Sequence, residues 1–112
     1  MRAATRATDP DTSFEAAASV NMPRQRVHVL IALLCATGNT PTATYEQIIA
    51  SARRCGFKDS DSGLRSRCKD LVADGYVRVA DHNGINHDGR RVQRFQPTWK
   101  THQMFQNLGK AA

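Results

Sequence analysis

The hydrophobic period of this chain switches at Gly75, and that switch restricts what the chain can fold into. Upstream, Leu64, Cys68, Leu71 and Val72 recur at i, i+4, i+7 and i+8, one apolar stripe of an α-helix. Ser62, Arg65, Ser66 and Lys69 fall on the opposite side, with Arg67 on the flank. Downstream, Tyr76-Val77-Arg78-Val79 alternates as a strand does. Gly75 between them suits the left-handed residue that ends a helix. A basic helix, a glycine stop and a strand entering a basic hairpin are therefore expected as one unit.

The rest of the chain supplies a frame for that unit. Val27, Leu30, Ile31 and Leu34 predict a helix over about Pro23 to Ala36, ended by Gly38-Asn39-Thr40-Pro41. Thr44 and Gln47 have capping-box spacing, which opens a helix to roughly Cys55 with Tyr45, Ile48, Ile49 and Ala52 inside and Gly56 as its stop. Phe57-Lys58-Asp59 leads to the basic helix, with Asp59 or Ser60 as its N-cap. Residues 77–80 and 91–95 read as two strands, and the Asn83-Gly84 and Asp88-Gly89 pairs place turns in the loop between them. Pro97 closes the second strand. Trp99, His102, Phe105 and Leu108 then recur at helix-like spacing. The expected fold is mainly α with a small antiparallel β-hairpin, an α+β winged helix-turn-helix. Its divisions are a flexible arm with a short helix over 1–22, the domain over 23–97 and a C-terminal helix or extension over 98–112. The short helix rests on the capping-box spacing of Thr12 and Glu15.

Composition narrows the function. The net charge is +6, but residues 1–22 hold two arginines against three carboxylates, so the body carries +7. Twelve of the sixteen cations are arginine, the side chain best matched to phosphate and to guanine. A polyanionic partner is the expectation. No apolar run approaches the ~20 residues that span a bilayer, the longest being Val29 to Ala36, so no membrane partner is expected. Arg2 and Arg6 have no apolar stretch behind them, so no secretory signal is expected. Three scattered cysteines suit a reduced cytosolic protein and not a disulfide framework.

Catalytic and metal chemistry find no foothold in the pattern. Cys35, Cys55 and Cys68 form no C-x-x-C pair, and His28, His82, His87 and His102 lack paired spacing. Cys35 and Cys68 read as small hydrophobes. No cofactor is expected, and no enzyme. For double-stranded DNA the expected base-contacting residues are Ser62, Arg65, Ser66 and Lys69. Arg53, Arg54, Lys58, Arg67, Arg78, Arg90, Arg91 and Arg94 are expected on the backbone or in the wing. Asp59 and Asp61 put negative charge at the start of the same helix.

An ordered set of segments carries a resemblance. It begins with Asp11-Thr12-Ser13-Phe14-Glu15-Ala16-Ala17, Arg24-Gln25-Arg26-Val27 and Thr44-Tyr45-Glu46-Gln47-Ile48. It continues through Ser62-Gly63-Leu64-Arg65-Ser66-Arg67-Cys68-Lys69-Asp70-Leu71-Val72-Ala73-Asp74-Gly75-Tyr76-Val77 to Gly89-Arg90-Arg91. Over residues 11–95 this resembles small winged-helix DNA-binding proteins of bacteriophages and prophages, especially actinobacterial ones. The resemblance implies DNA binding in a bacterial cytoplasm, in transcriptional control. Two rivals use the same fold: a phage module that seizes a host protein, and an architectural protein that binds DNA without regard to sequence. Trp99, Phe105 and Leu108 are the expected contacts of a homodimer or, alternatively, of a helix folded back on the core.

Overall fold

The computed structural model of the chain describes residues 22–111, with side chains as far as Asn107. The short N-terminal helix expected around Thr12 lies outside the described residues. The architecture is α+β, with α1 (Arg24–Ala36), α2 (Tyr45–Arg54), α3 (Asp61–Ala73), β1 (Val77–Ile85), β2 (Arg91–Pro97) and α4 (Trp99–Ala111). None of the described helices is long and apolar enough to cross a membrane.

The core forms around α1. Pro23 precedes it as N-cap without a side-chain bond, and its carbonyl accepts from Arg26 and Val27. Every residue from Val27 to Leu33 is buried, His28 included. The expected stripe was too narrow, because α2, α3 and β2 pack around this helix from different sides. Leu34 is only half-buried and Cys35 is exposed, so Cys35 is not the core residue its position on the stripe suggested.

Two further helices complete the layer by similar rules. The Thr44 hydroxyl accepts from the Gln47 amide at 3.3 Å while the Gln47 side chain accepts from the Thr44 amide at 3.0 Å. This reciprocal box starts α2 where the sequence predicts it. Ser60 caps α3 by accepting from the Gly63 amide at 3.0 Å. Both helices end with a left-handed glycine, Gly56 and Gly75 (φ 85° each). The amides of Phe57 and Tyr76 then reach back to the Ala52 and Leu71 carbonyls, closing paired bonds that satisfy the last turn. Ile48 and Ala52 from α2, and Leu64, Cys68 and Leu71 from α3, face α1 and are buried. Burial pushes the Cys68 thiol up to about 12, so it packs as a small hydrophobe.

Asp59 does not cap α3. It accepts from His28 Nδ1 at 2.7 Å, with both side chains nearly inaccessible, and Phe57 stacks on the His28 ring at 3.9 Å between centroids. The α2–α3 turn is thus fastened to the middle of α1 by one charged or polar pair and one aromatic contact.

Of the two turn signals in the hairpin loop, Asp88-Gly89 lies at the tip, with Gly89 at φ 79°, whereas Asn83-Gly84 does not turn. β1 runs through Asn83-Gly84 to Ile85, and the chain reverses over 86–90, where the Asn86 carbonyl oxygens organise the tip. The Asn86 side chain accepts from the amides of Asp88 and Arg90, both at 2.9 Å. Those local bonds outcompete the turn propensity of Asn83-Gly84. Register shifts occur between Val79 and Asp81 and again before Gly84. A short bridge joins the hairpin to the helices: Ala43 and Phe95 exchange both backbone bonds, at 2.9 and 2.7 Å. Gly84 is buried at the same seam. A Cβ there would lie 2.8 Å from Thr44 Cγ2 and Arg94 Cγ and 3.0 Å from the Val92 carbonyl oxygen.

Helix α4 leaves the hairpin and docks by its first turns. Thr101 is fully buried and donates to the Tyr76 carbonyl at 2.6 Å, Thr98 donates to the Gly75 carbonyl at 2.6 Å, and Lys100 lies over the Tyr76 ring. Met104 and Phe105 follow Thr101 onto the core. Trp99 points away and is 73% exposed. Residues spaced by three drift about 60° per step around a helix, so Trp99 and Phe105 cannot share one face. Leu108 lies outside the described side chains.

Two glycines give contrasting tests. Gly75→Ala should cost about 1–2 kcal/mol through its left-handed backbone alone, since a Cβ there meets nothing within 4 Å. Gly84→Ala should cost about 1–3 kcal/mol by overpacking and should also shift the amide resonances of Thr44 and Arg94. Chemical denaturation with amide spectra measures both. A Gly84→Ala chain with parental stability and unmoved Thr44 would refute the close approach.

Candidate nucleic-acid interface

The outward face of α3 is the side that its apolar stripe leaves free. With Leu64, Cys68 and Leu71 buried, the 3.6-residue period turns Ser62, Arg65, Ser66 and Lys69 to solvent, and all four are exposed. None of their side chains forms an ion pair or hydrogen bond among the described residues. The Arg65 guanidinium lies over the Tyr45 ring, 5.7 Å from its centroid. This face is a row of unspent donors on a helix narrow enough to enter a major groove about 12 Å wide.

The other cations expected at DNA divide into two groups. Arg54, Lys58, Arg90 and Arg91 are exposed and make no ion pair among the described residues. The others are engaged inside the fold. Arg53 donates to Asp61 at 2.6 Å and to the Phe57 carbonyl at 2.9 Å. Arg67 bridges Asp70 at 2.8 Å and approaches Gln25. Arg78 donates to Gln96 across the hairpin at 2.8 Å. Arg94 makes a two-pronged pair with Asp81, at 2.7 and 2.6 Å. These four expected backbone contacts thus already have intramolecular partners, and the Arg94 charge is offset in place.

The acidic residues at the start of α3 are likewise accounted for. Asp59 is turned inward to His28, and Asp61 is paired with Arg53 beside the positive end of the helix. Asp59 is thus turned away from the outer face of α3, and Asp61 is held by Arg53.

The hairpin tip is tied to α2. Glu46, in the first turn of α2, accepts from the His87 amide at 2.9 Å through Oε1, and its Oε2 meets His87 Nδ1. The bond from the His87 ring, followed by that from its amide and the nearby charges of His87 and Arg65, holds the Glu46 carboxyl below its ordinary value. His87 also lies 3.2 Å from Asp88. The tip therefore holds Arg90 and Arg91 on a strap anchored to the second helix.

Sequence reasoning found the exposed row on α3 but not Tyr45 beneath Arg65, the Glu46–His87 strap or the Asp81–Arg94 pair. The first lies on a residue already assigned to the core. The other two depend on hairpin register, which Asn83-Gly84 misdirects. Among the described residues no group of three His, Cys, Asp or Glu side chains is placed to hold a metal ion. Comparison of the chain with family models, curated proteins and solved structures found no match.

The Asp81 carboxyl is held down to about 2 by the bonds from Arg94 and then by the Asn83 amide. A depressed value means that the pair stabilises the hairpin fully above the ordinary aspartate range near 4 and is lost as pH falls through about 2. A carboxyl NMR titration should show this low midpoint, and Arg94→Gln should return it toward 3.8. A midpoint near 3.8 in the parent would dissolve the pair.

Proposed function

We propose that the chain is a double-stranded DNA-binding protein of winged helix-turn-helix type. In this reading α3 enters the major groove with Ser62, Arg65, Ser66 and Lys69 toward the bases. The hairpin is the wing, with Arg90 and Arg91 on phosphates, and Arg54 and Lys58 position the preceding helix on the backbone. The observation that carries it is the row on α3: four exposed donors with no carboxylate bound to them, on a chain that pairs Arg53, Arg67 and Arg94 internally. The element order agrees, with three helices, a bridge between the first and second, then the hairpin. The resemblance given above extends the proposal to a phage-encoded regulator of transcription in a bacterial cytoplasm.

A second reading has one observation of its own. Trp99 exposes its indole at the start of α4, and exposed tryptophans anchor protein interfaces. It fits a module that captures a host protein, or a homodimer anchored by Trp99 without Phe105.

Selection from a random duplex library, followed by affinity measurements from 50 to 200 mM salt, separates these readings. Arg65→Ala and Lys69→Ala should each cost about 1–3 kcal/mol at the selected site and relax its sequence. Arg90→Ala and Arg91→Ala should weaken all duplexes alike and reduce the salt slope by about 1 each. The four phosphate contacts named correspond to a loss of ~10²-fold over that salt range. Binding without a preferred sequence would favour the architectural role. No salt-dependent binding would leave the protein-docking role.

A further inference from the structure

The α3 cations are not held alike. Lys69 extends into solvent, whereas the Arg65 guanidinium lies over the Tyr45 ring. The ring is itself fixed: Tyr45 occupies the first turn of α2 behind the Thr44–Gln47 box, and it packs on Phe95 with centroids 4.6 Å apart. Phe95 is 1% exposed, so the support beneath Arg65 continues into the core.

Glu46, next to Tyr45 in the first turn of α2, is a carboxylate on the element that supports Arg65, and the Arg65 charge adds to the lowering of its carboxyl. It does not form an ion pair with Arg65. One oxygen accepts from the His87 amide and the other meets the His87 ring. The hairpin tip thereby occupies the carboxylate, and Arg65 is left with an aromatic face beneath it and its N–H fork available.

We infer that Tyr45 is a positioning residue that holds the Arg65 guanidinium ready for the edge of a guanine. An arginine ordered before binding loses less rotamer freedom when its planar fork meets O6 and N7 of guanine, the acceptors it matches in pairs. Lys69, a flexible point charge with no such platform, would discriminate less. This inference rests on the DNA-binding reading and adds the base recognised and the residue that prepares its reader.

The test has one arm without DNA. The Nε–Hε order parameter of Arg65 should be high in the parent and in Tyr45→Phe, which keeps the ring, and should fall in Tyr45→Leu. On the duplex selected by the parent, Tyr45→Phe should bind as the parent does, while Tyr45→Leu should lose about two- to five-fold in affinity. In an Arg65→Ala background Tyr45→Leu should cause no further loss. Replacing one guanine of that duplex by 7-deazaguanine, which lacks N7, should weaken the parent but not Arg65→Ala. An Arg65 as mobile in the parent as in Tyr45→Leu overturns the positioning role. Equal losses from Tyr45→Leu with and without Arg65 overturn it too, as does a loss in Tyr45→Phe, which would implicate the hydroxyl. If the parent selects no duplex while Arg65 is ordered by the ring, the DNA reading and the guanine assignment fall, and the hold on the side chain stands as a separate measured result.

Discussion

Phe95 is the point through which the two halves of this fold are joined. Its backbone exchanges two hydrogen bonds with Ala43, in the connection between α1 and α2, while its ring lies in the core against Tyr45. An isolated two-stranded hairpin is marginal in water. This one is secured by a third short piece of extended chain and by a buried aromatic residue. Gly84 permits the fit, because strand β1 passes so close to Thr44 that no side chain can stand between them. The position of Arg90 and Arg91 relative to α3 follows from that seam.

A second theme is the division of charge. A chain with this excess of cations could leave all of them in solvent, yet it binds several internally: Arg26 to Asp74, Arg53 to Asp61, Arg67 to Asp70 and Arg94 to Asp81. Exposed pairs of this kind add little stability each. Their larger effect is selection, since they remove charge from some surfaces and leave it on others. On the exposed side of α3, among the described residues, Arg65 and Lys69 stay free of any carboxylate.

Much of this was legible in the sequence because the relevant signals are local. The capping box at Thr44 and Gln47, the glycine stops at 56 and 75 and the period of Leu64, Cys68 and Leu71 each act within a few residues. The elements that they predict appear with nearly the expected bounds. What could not be read depends on which elements meet. A central helix is buried all round, so Val29 and Leu33 count as much as the stripe that predicted α1. His28 and Asp59 are thirty-one residues apart and meet only because the α2–α3 turn folds onto α1. Of the two turn signals in the hairpin, Asp88-Gly89 marks the tip, where Asn86 gathers two amides, and Asn83-Gly84 lies in a strand instead. Trp99 was grouped with Phe105 by a spacing of three, which winds around the helix instead of running along it.

The irregular register of the hairpin bears on how the protein behaves in a crowded solution. β2 has Ala43 on its far side, but among the described residues the outer edge of β1 pairs with no strand. Nine residues of open edge are an invitation to edge-to-edge association. The two register shifts break the even spacing that another strand would need, and Arg78 and His82 place polar, exposed side chains along the same strand. The two irregularities along β1 thus work against one copy of the hairpin recruiting the next.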